Sequence, residues 1–343
     1  MSRLTPHKRR GFQALISLGL ALGLLLLGAG VVWQDARLGH APDVSGPVAP
    51  GWSDQAADAA RIRIETAEGA FVMEERAGQW VMANRGDYPV RAERIAELDT
   101  LLQGLQFTEA MTRDADKFDR LGLGDPEAGG AGVRVTVSDT AGETLADLII
   151  GRLRGERGVY VRRPGGVRAY AASGPVAGAD SLGDAGRWMG LDFWSHDASA
   201  IARAEIQPEF GPSWRVMRAG EAQRYYELRE PSGWRLVTAG AANGVATAGA
   251  QLRFRDVKPD QELVGAYVAR HAAVTFSGLA YEMLFFAEGD ERWVTIELAA
   301  LADDAAPRAE HFNDRVEGWA FLVSEDAHER LTRALDQVAE PVR

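Results

Sequence analysis

The chain has 343 residues, room for two average domains or one large one, and its 46% hydrophobic and 25% charged content excludes disorder and predicts a packed core. It has no cysteine, which excludes disulfides, thiolate metal sites, a cysteine nucleophile and a lipid-modified cysteine. The net charge is −11; residues 1–33 carry Arg3, Lys8, Arg9 and Arg10 and no acid, so the remainder holds 34 basic against 49 acidic groups, a net of −15, which repels nucleic-acid phosphate and anionic headgroups alike.

Residues 1–13 form a basic tail. From Ala14 to Trp33 the chain is uncharged and rich in Leu, Ala, Gly and Val. As a helix this segment spans about 30 Å, the thickness of the hydrocarbon core, and satisfies its own backbone, as lipid requires. Trp33 sits at the far edge, where an indole favours the interface, and the cluster His7–Arg10 marks the cytoplasmic side. The prediction is a single-pass protein of the inner membrane with a cytoplasmic N-terminus and a periplasmic bulk. A cleaved signal peptide is the alternative. Its apolar core is usually shorter, about 7–15 residues, and cutting at Gly28-Ala29-Gly30 leaves Val31, Val32 and Trp33 exposed. Gly19, Gly23, Gly28 and Gly30 offer small surfaces for a partner helix, or are filler in a bilayer helix.

Residues 34–57, with Pro42, Pro47 and Pro50 and no apolar periodicity, predict a linker that holds the body clear of the membrane. Short alternating segments follow at Arg61–Glu65, Ala70–Glu74 and Gln79–Met82, a meander of half-buried strands. Pro89 opens a helix with a core-facing stripe of Ile95, Leu98, Leu101, Leu102 and Leu105. A loop runs from Lys117 to Pro126, and strands resume at Val133–Ser138, Leu145–Ile150, Gly158–Arg162 and Val167–Ala171.

A second copy then begins. Ile201–Ile206 is similar to Ile62–Glu65, Trp234 lies 154 positions after Trp80, and Gly318-Trp319-Ala320-Phe321 stands 160 positions after Gly158-Val159-Tyr160-Val161. A helix is expected around Pro259–Arg270, strands at Tyr281–Ala287 and Trp293–Leu298, and a final helix from Glu325 to about Val338, capped by Ser324 and striped by Leu331, Leu335 and Val338. The fold class is α+β: one N-terminal transmembrane helix, then two tandem diverged repeats of antiparallel sheet plus helix, over 58–195 and 199–343.

Several short motifs occur in order: Gly78-Gln79-Trp80, Tyr88-Pro89, Leu121-Gly122-Leu123-Gly124-Asp125-Pro126, Ile149-Ile150-Gly151 and Gly158-Val159-Tyr160-Val161. After a basic start and one membrane helix, this pattern resembles a bacterial membrane-anchored family known as a domain of unknown function, DUF4340. Its members are often encoded beside ABC transporter genes of the gliding-motility type. The resemblance covers most of the chain beyond the linker and implies no catalytic residues. It implies ABC transporter subunits as partners.

No catalytic constellation stands out. The six histidines are dispersed, and His328-Glu329 lacks the second histidine of a zincin, which makes His328 a surface residue of the last helix. Asp114, Asp116 and Asp119 imitate a calcium loop without its glycine and closing glutamate. Gly122–Pro126 imitates a nucleotide loop without Gly-Lys-Ser/Thr, and no Gly-x-Ser-x-Gly elbow occurs. Trp188, Phe193 and Trp194 lie between the copies, as packing between the halves or as a ligand platform. The expectation is a non-enzymatic accessory subunit of an ABC-transporter-type complex that uses no cofactor and no nucleic acid. An extracytoplasmic module for a glycan, peptide or lipid is the alternative, and an envelope hydrolase the third.

Overall fold

The computed structural model describes residues 44–342. The tail, the expected membrane helix at 14–33 with Gly19, Gly23, Gly28 and Gly30, and the linker as far as residue 43 lie outside the described residues. Among the described residues, no helix is long and apolar enough to cross a membrane.

The linker ends earlier than residue 57. The Val48 amide donates to the Leu105 carbonyl at 2.9 Å, and the Phe107 amide to Gly46 at 2.9 Å, so this segment runs along a strand edge. On α1 (Trp52–Gln55) the Trp52 side chain is buried and its indole donates to Asp99 at 2.8 Å. The prolines suggested a free spacer. Burial of Val48 and Trp52, worth about 1.5–3 kcal/mol for each apolar side chain, overrides them.

The meander follows: β1 (Arg61–Thr66), β2 (Gly69–Arg76), β3 (Gln79–Met82) and β4 (Tyr88–Pro89). Then α2 (Ala92–Gly104) buries Leu98, Leu101 and Leu102, as its apolar spacing predicts. After β5 (Gln106–Ala110) come β6 (Val133–Ser138), β7 (Thr144–Leu153), β8 (Gly158–Arg162), β9 (Tyr170–Ser173) and the short α3 (Ala185–Met189). The strands form one antiparallel sheet in the order β4-β3-β2-β1-β6-β7-β8-β9-β5.

The second half contains β10 (Ile201–Pro208), β11 (Trp214–Met217), β12 (Glu227–Glu230), β13 (Trp234–Leu236), α4 (Asn243–Ala248), β14 (Asp256–Pro259), β15 (Ala266–Thr275), β16 (Leu279–Glu288) and β17 (Glu291–Ala300). It continues through α5 (Ala306–Val316), β18 (Trp319–Val323), α6 (Glu325–Leu331) and β19 (Ala339–Pro341). Its main sheet runs β12-β11-β10-β15-β16-β17-β18-β14, and β13 pairs with β19 apart from it. The molecule is thus mixed helix and sheet, with several antiparallel sheets.

Three expectations fail here. The segment 259–270 is not an α-helix: Asp260–Glu262 form one 3-10 turn, and β15 begins at Ala266, with every second residue buried from Ala269 to Thr275. The last helix stops at Leu331; Leu335 lies in a separate turn, and the chain ends on β19, although Leu331, Leu335 and Val338 are all buried. Trp80 and Trp234 are not equivalent. Trp80 faces Glu75 of β2 inside the first main sheet, whereas Trp234 faces Pro341 of β19 outside the second. Similarly, Gly158–Val161 lies on β8 but Trp319–Phe321 on β18, which occupies the place of β9 in the strand order.

The strand order itself nevertheless repeats. Counted from β1 and from β10, both sheets place a meander on one side (β2-β3-β4 in the first, the shorter β11-β12 in the second), a four-strand run on the other, and the strand that follows the helix at the far edge. Among the described residues no ladder joins them. They meet where β4 and the turn before it face β14 and β18: Arg85 pairs with Asp256 at 2.6 Å, and the Tyr88 ring stands edge-on to Trp319 at 4.9 Å. One apolar core spans both halves, including Ile64, Leu102, Trp188, Trp194, Phe285 and Phe321.

Candidate functional site

The segment joining the halves builds the seam. Asp184 caps α3 by accepting the Arg187 amide, and Gly190, with φ 65, ends it in the left-handed conformation that glycine adopts without strain. Trp188 turns into the first half, where its indole donates to the Leu182 carbonyl at 2.9 Å and the Arg94 guanidinium lies 5.2 Å from its ring centre. Phe193 and Trp194 turn into the second. Phe193 packs on Phe254 at 5.5 Å beneath the Arg315 guanidinium, and Trp194 donates to the Gly249 carbonyl at 2.7 Å. The three aromatics are therefore divided between two packing sites. Trp188 and Trp194 are 0% and 2% exposed with their N–H groups bonded, the arrangement of packing side chains, and Phe193 is half-buried.

Above this packing lies a groove of about 1010 Å³. It is walled by the joining segment (Asp184, Arg187, Asp192, Ser195), by residues 251–255 and by the start of α6 with Arg330. In 251–255 the alternation is strict: Leu252 and Phe254 are buried, while Gln251, Arg253 and Arg255 are exposed. Four arginines thus face two aspartates across the groove. Arg187 is 3.8 Å from Asp192, and Arg330 is bonded to Asp326 at 2.9 Å. Arg253 and Arg255 form no ion pair among the described residues. This is a cationic strip on an acidic protein, and the sequence reading missed it. Its one legible signal was the Leu-Arg-Phe-Arg alternation at 252–255, a strand pattern whose outward positions are both arginine.

Behind the groove lies a sealed polar group. His196 Nδ1 accepts from Arg308 at 2.8 Å, so its Nε2 carries the proton, and that atom has no partner among the described residues. His271 Nε2 donates to the Val245 carbonyl at 3.1 Å, leaving Nδ1 unpartnered. Between the two rings stands Tyr281, whose hydroxyl is also buried and unpartnered. Burial, with the Arg308 charge beside it, pushes the His196 pKa down to about 4; burial pushes His271 down to about 4 and raises Tyr281. Shifts of this kind mark catalytic groups when a nucleophile or carboxylate lies within reach. Among the described residues no serine or threonine hydroxyl bonds to either imidazole, and each ring already serves a neighbour. His328 is buried too, edge-on to Phe285 at 5.6 Å, and is not the surface residue its helix position suggested.

The remaining sequence motifs are structural. In the Leu-Gly-Leu-Gly-Asp-Pro loop, Gly122 has φ 70, and a Cβ on Gly124 would collide with Asp119 Oδ1 and lie 3.0 Å from Gly130 Cα. Arg162 stitches the loop to β8: its Nε donates to the Leu123 carbonyl at 3.0 Å and its guanidinium lies 4.9 Å from the Phe118 ring centre. Asp119 accepts the Ala131 amide, and Asp114 pairs with Lys117. Among the described residues, no three His, Asp or Glu side chains converge as a metal-holding group.

A family model described as Domain of unknown function (DUF4340) matches residues 80–266. No curated protein and no solved structure matches the chain.

Proposed function

The chain belongs to the family described as Domain of unknown function (DUF4340), and from that premise we propose that it is a non-enzymatic binding module, an accessory subunit of an ABC-transporter-type membrane complex. The observation that carries the reading is the seam groove of about 1010 Å³, with four arginines on a strongly acidic body. A locally positive cleft in a negative surround concentrates field lines and selects a partner by charge.

The uncharged run at 14–33 and the basic residues before it support a tether in the inner membrane with the body on the periplasmic side. Confinement near a membrane partner raises effective concentration without a tight interface. The shared strand order of the two sheets supports the body as two diverged copies, 58–195 and 199–343. The family resemblance, which implies a place beside gliding-motility-type ABC transporter genes, supplies the transporter. Gly19, Gly23, Gly28 and Gly30 supply a face for one of its helices.

The ligand-module reading has support of its own in a second hollow of about 510 Å³, where Tyr225 and Trp234 flank Arg224 and Arg235. Aromatic faces beside polar groups suit a glycan or a peptide.

Gentle detergent extraction of the tagged full-length protein tests the main reading. Transporter subunits are expected to come with it. Their absence under every gentle condition sinks the accessory role. A periplasm-dependent reporter fused after Arg343 should be active, and recovery of the intact chain in the soluble fraction counts against the tether.

A further inference from the structure

We propose that the seam groove docks an extended acidic segment of a partner polypeptide, held by Arg253 and Arg255 and strand-paired to the main chain at Leu252–Phe254. The proposal rests on the reading of the body as a binding module and names what it binds.

Charge is the first support. Both guanidiniums are exposed and lack an ion-pair partner among the described residues, whereas Arg61, Arg85, Arg134 and Arg270 each have a carboxylate partner. A planar guanidinium matches a carboxylate in two parallel hydrogen bonds. Pitch is the second. Arg253 and Arg255 are two residues apart on an extended chain, so their side chains recur on one side about every 6.7 Å, the spacing of alternate acidic side chains on an extended peptide beside them. The main chain is the third. The N–H and C=O groups of Leu252, Arg253 and Phe254 make no hydrogen bond among the described residues, whereas the Arg255 amide already donates to Leu322 at 2.8 Å as the chain enters β14. An unpaired stretch leading into a sheet edge is what a bound peptide extends by strand addition.

The groove's size argues against a free small anion. At about 1010 Å³ it reaches the upper limit of small-molecule pockets, roughly 300–1,000 Å³, and polar side chains outnumber apolar ones in its lining, the reverse of the usual small-ligand site. The net charge of −15 beyond residue 33 opposes a flat anionic membrane, whereas a narrow peptide can enter the local positive field.

The test uses the full-length chain in detergent and fluorescence anisotropy of a labelled short peptide of alternating Glu and Ser. The Lys–Ser counterpart and inorganic phosphate serve as controls. The Glu–Ser peptide should bind, the Lys–Ser peptide should not, and affinity should fall between about 50 and 300 mM salt. R253E/R255E should weaken binding roughly tenfold or more, while R163E, exposed in the turn after β8, should leave it unchanged. Arg253→Ser with Arg255→Ser serves as a milder pair should the reversed pair melt early. Equal affinity for both peptides, binding unaffected by the arginine pair, or full displacement by phosphate at the peptide's own concentration overturns the proposal. Co-purification with transporter subunits separates the two readings. If R253E/R255E still recovers those subunits, the accessory role stands and the groove assignment falls. If the unmodified chain binds the acidic peptide but recovers no subunit, the assignment stands and the accessory role falls.

Discussion

His196 and His271 show how burial decides chemistry at single positions. Burial keeps each imidazole neutral, helped at His196 by the Arg308 guanidinium and at His271 by Arg270, and it outweighs the Val245 carbonyl, whose hydrogen bond favours the charged ring of His271. Their folded pKa values, about 4, lie below the ordinary 6.5, so the unfolded chain takes up the extra protons. Stability is therefore fully present above about pH 6.5 and is lost as pH falls toward 4, by a few kcal/mol in all. The melting temperature should drop steadily from about pH 7 to about pH 4.5. The drop should be shallower in His271→Gln, whose amide can still donate to Val245. An unaltered pH profile in that variant would place the acid sensitivity elsewhere. At Gly124 the constraint is steric. Gly124→Ala should cost about 1–3 kcal/mol, read as a lower denaturant midpoint, because Asp119 and the Gly130 backbone leave no space for a methyl group. A neutral outcome would mean the loop relaxes freely.

At the scale of elements, the segment 44–57 closes a sheet edge. β5 is the last strand of the first sheet, and residues 46–48 cover its open side through the Val48 and Phe107 amide bonds. Uncovered edges invite pairing with other chains. Removing residues up to 57 should therefore produce concentration-dependent association, visible by light scattering; a monomeric truncated chain would falsify the capping role. Trp52→Ala alone should cost about 3–5 kcal/mol, since it removes a buried indole and strands Asp99. A loss below 1 kcal/mol, roughly the worth of an exposed contact, would mean Trp52 does not anchor the segment.

For the whole molecule, the question is whether two halves with the same strand order unfold as one. Their ladders are separate, so coupling runs through the shared core and the β4–β14 contacts, with the Arg91 amide bonded to the Trp188 carbonyl at 2.8 Å and Arg315 to Gly190 at 3.1 Å. Tyr88 is the buried centre of this contact, between Trp319 and Phe321. Calorimetry should give one transition for the unmodified protein and two for Tyr88→Ala combined with Arg85→Ala. A single sharp transition in the double variant would show that the joining segment alone couples the halves.

The sequence by itself determined what depends on local pattern. Two-residue alternation marked β6, β7, β16 and β17, the Leu stripe marked α2, and the family motifs between Gly78 and Val161 pointed to the family whose model matches residues 80–266. Only the tertiary structure decided which strands neighbour which. Trp80 and Trp234 shared a local motif yet landed in different sheets, because ladder pairing is set by long-range register and not by the residues around a turn. The candidate groove was invisible for the same reason. Arg187, Arg253, Arg255 and Arg330 come from three distant segments, and each is unremarkable alone. Their chemistry exists only because the seam between the two halves brings like charges together, with Arg187 and Arg330 beside carboxylates and Arg253 and Arg255 without one among the described residues.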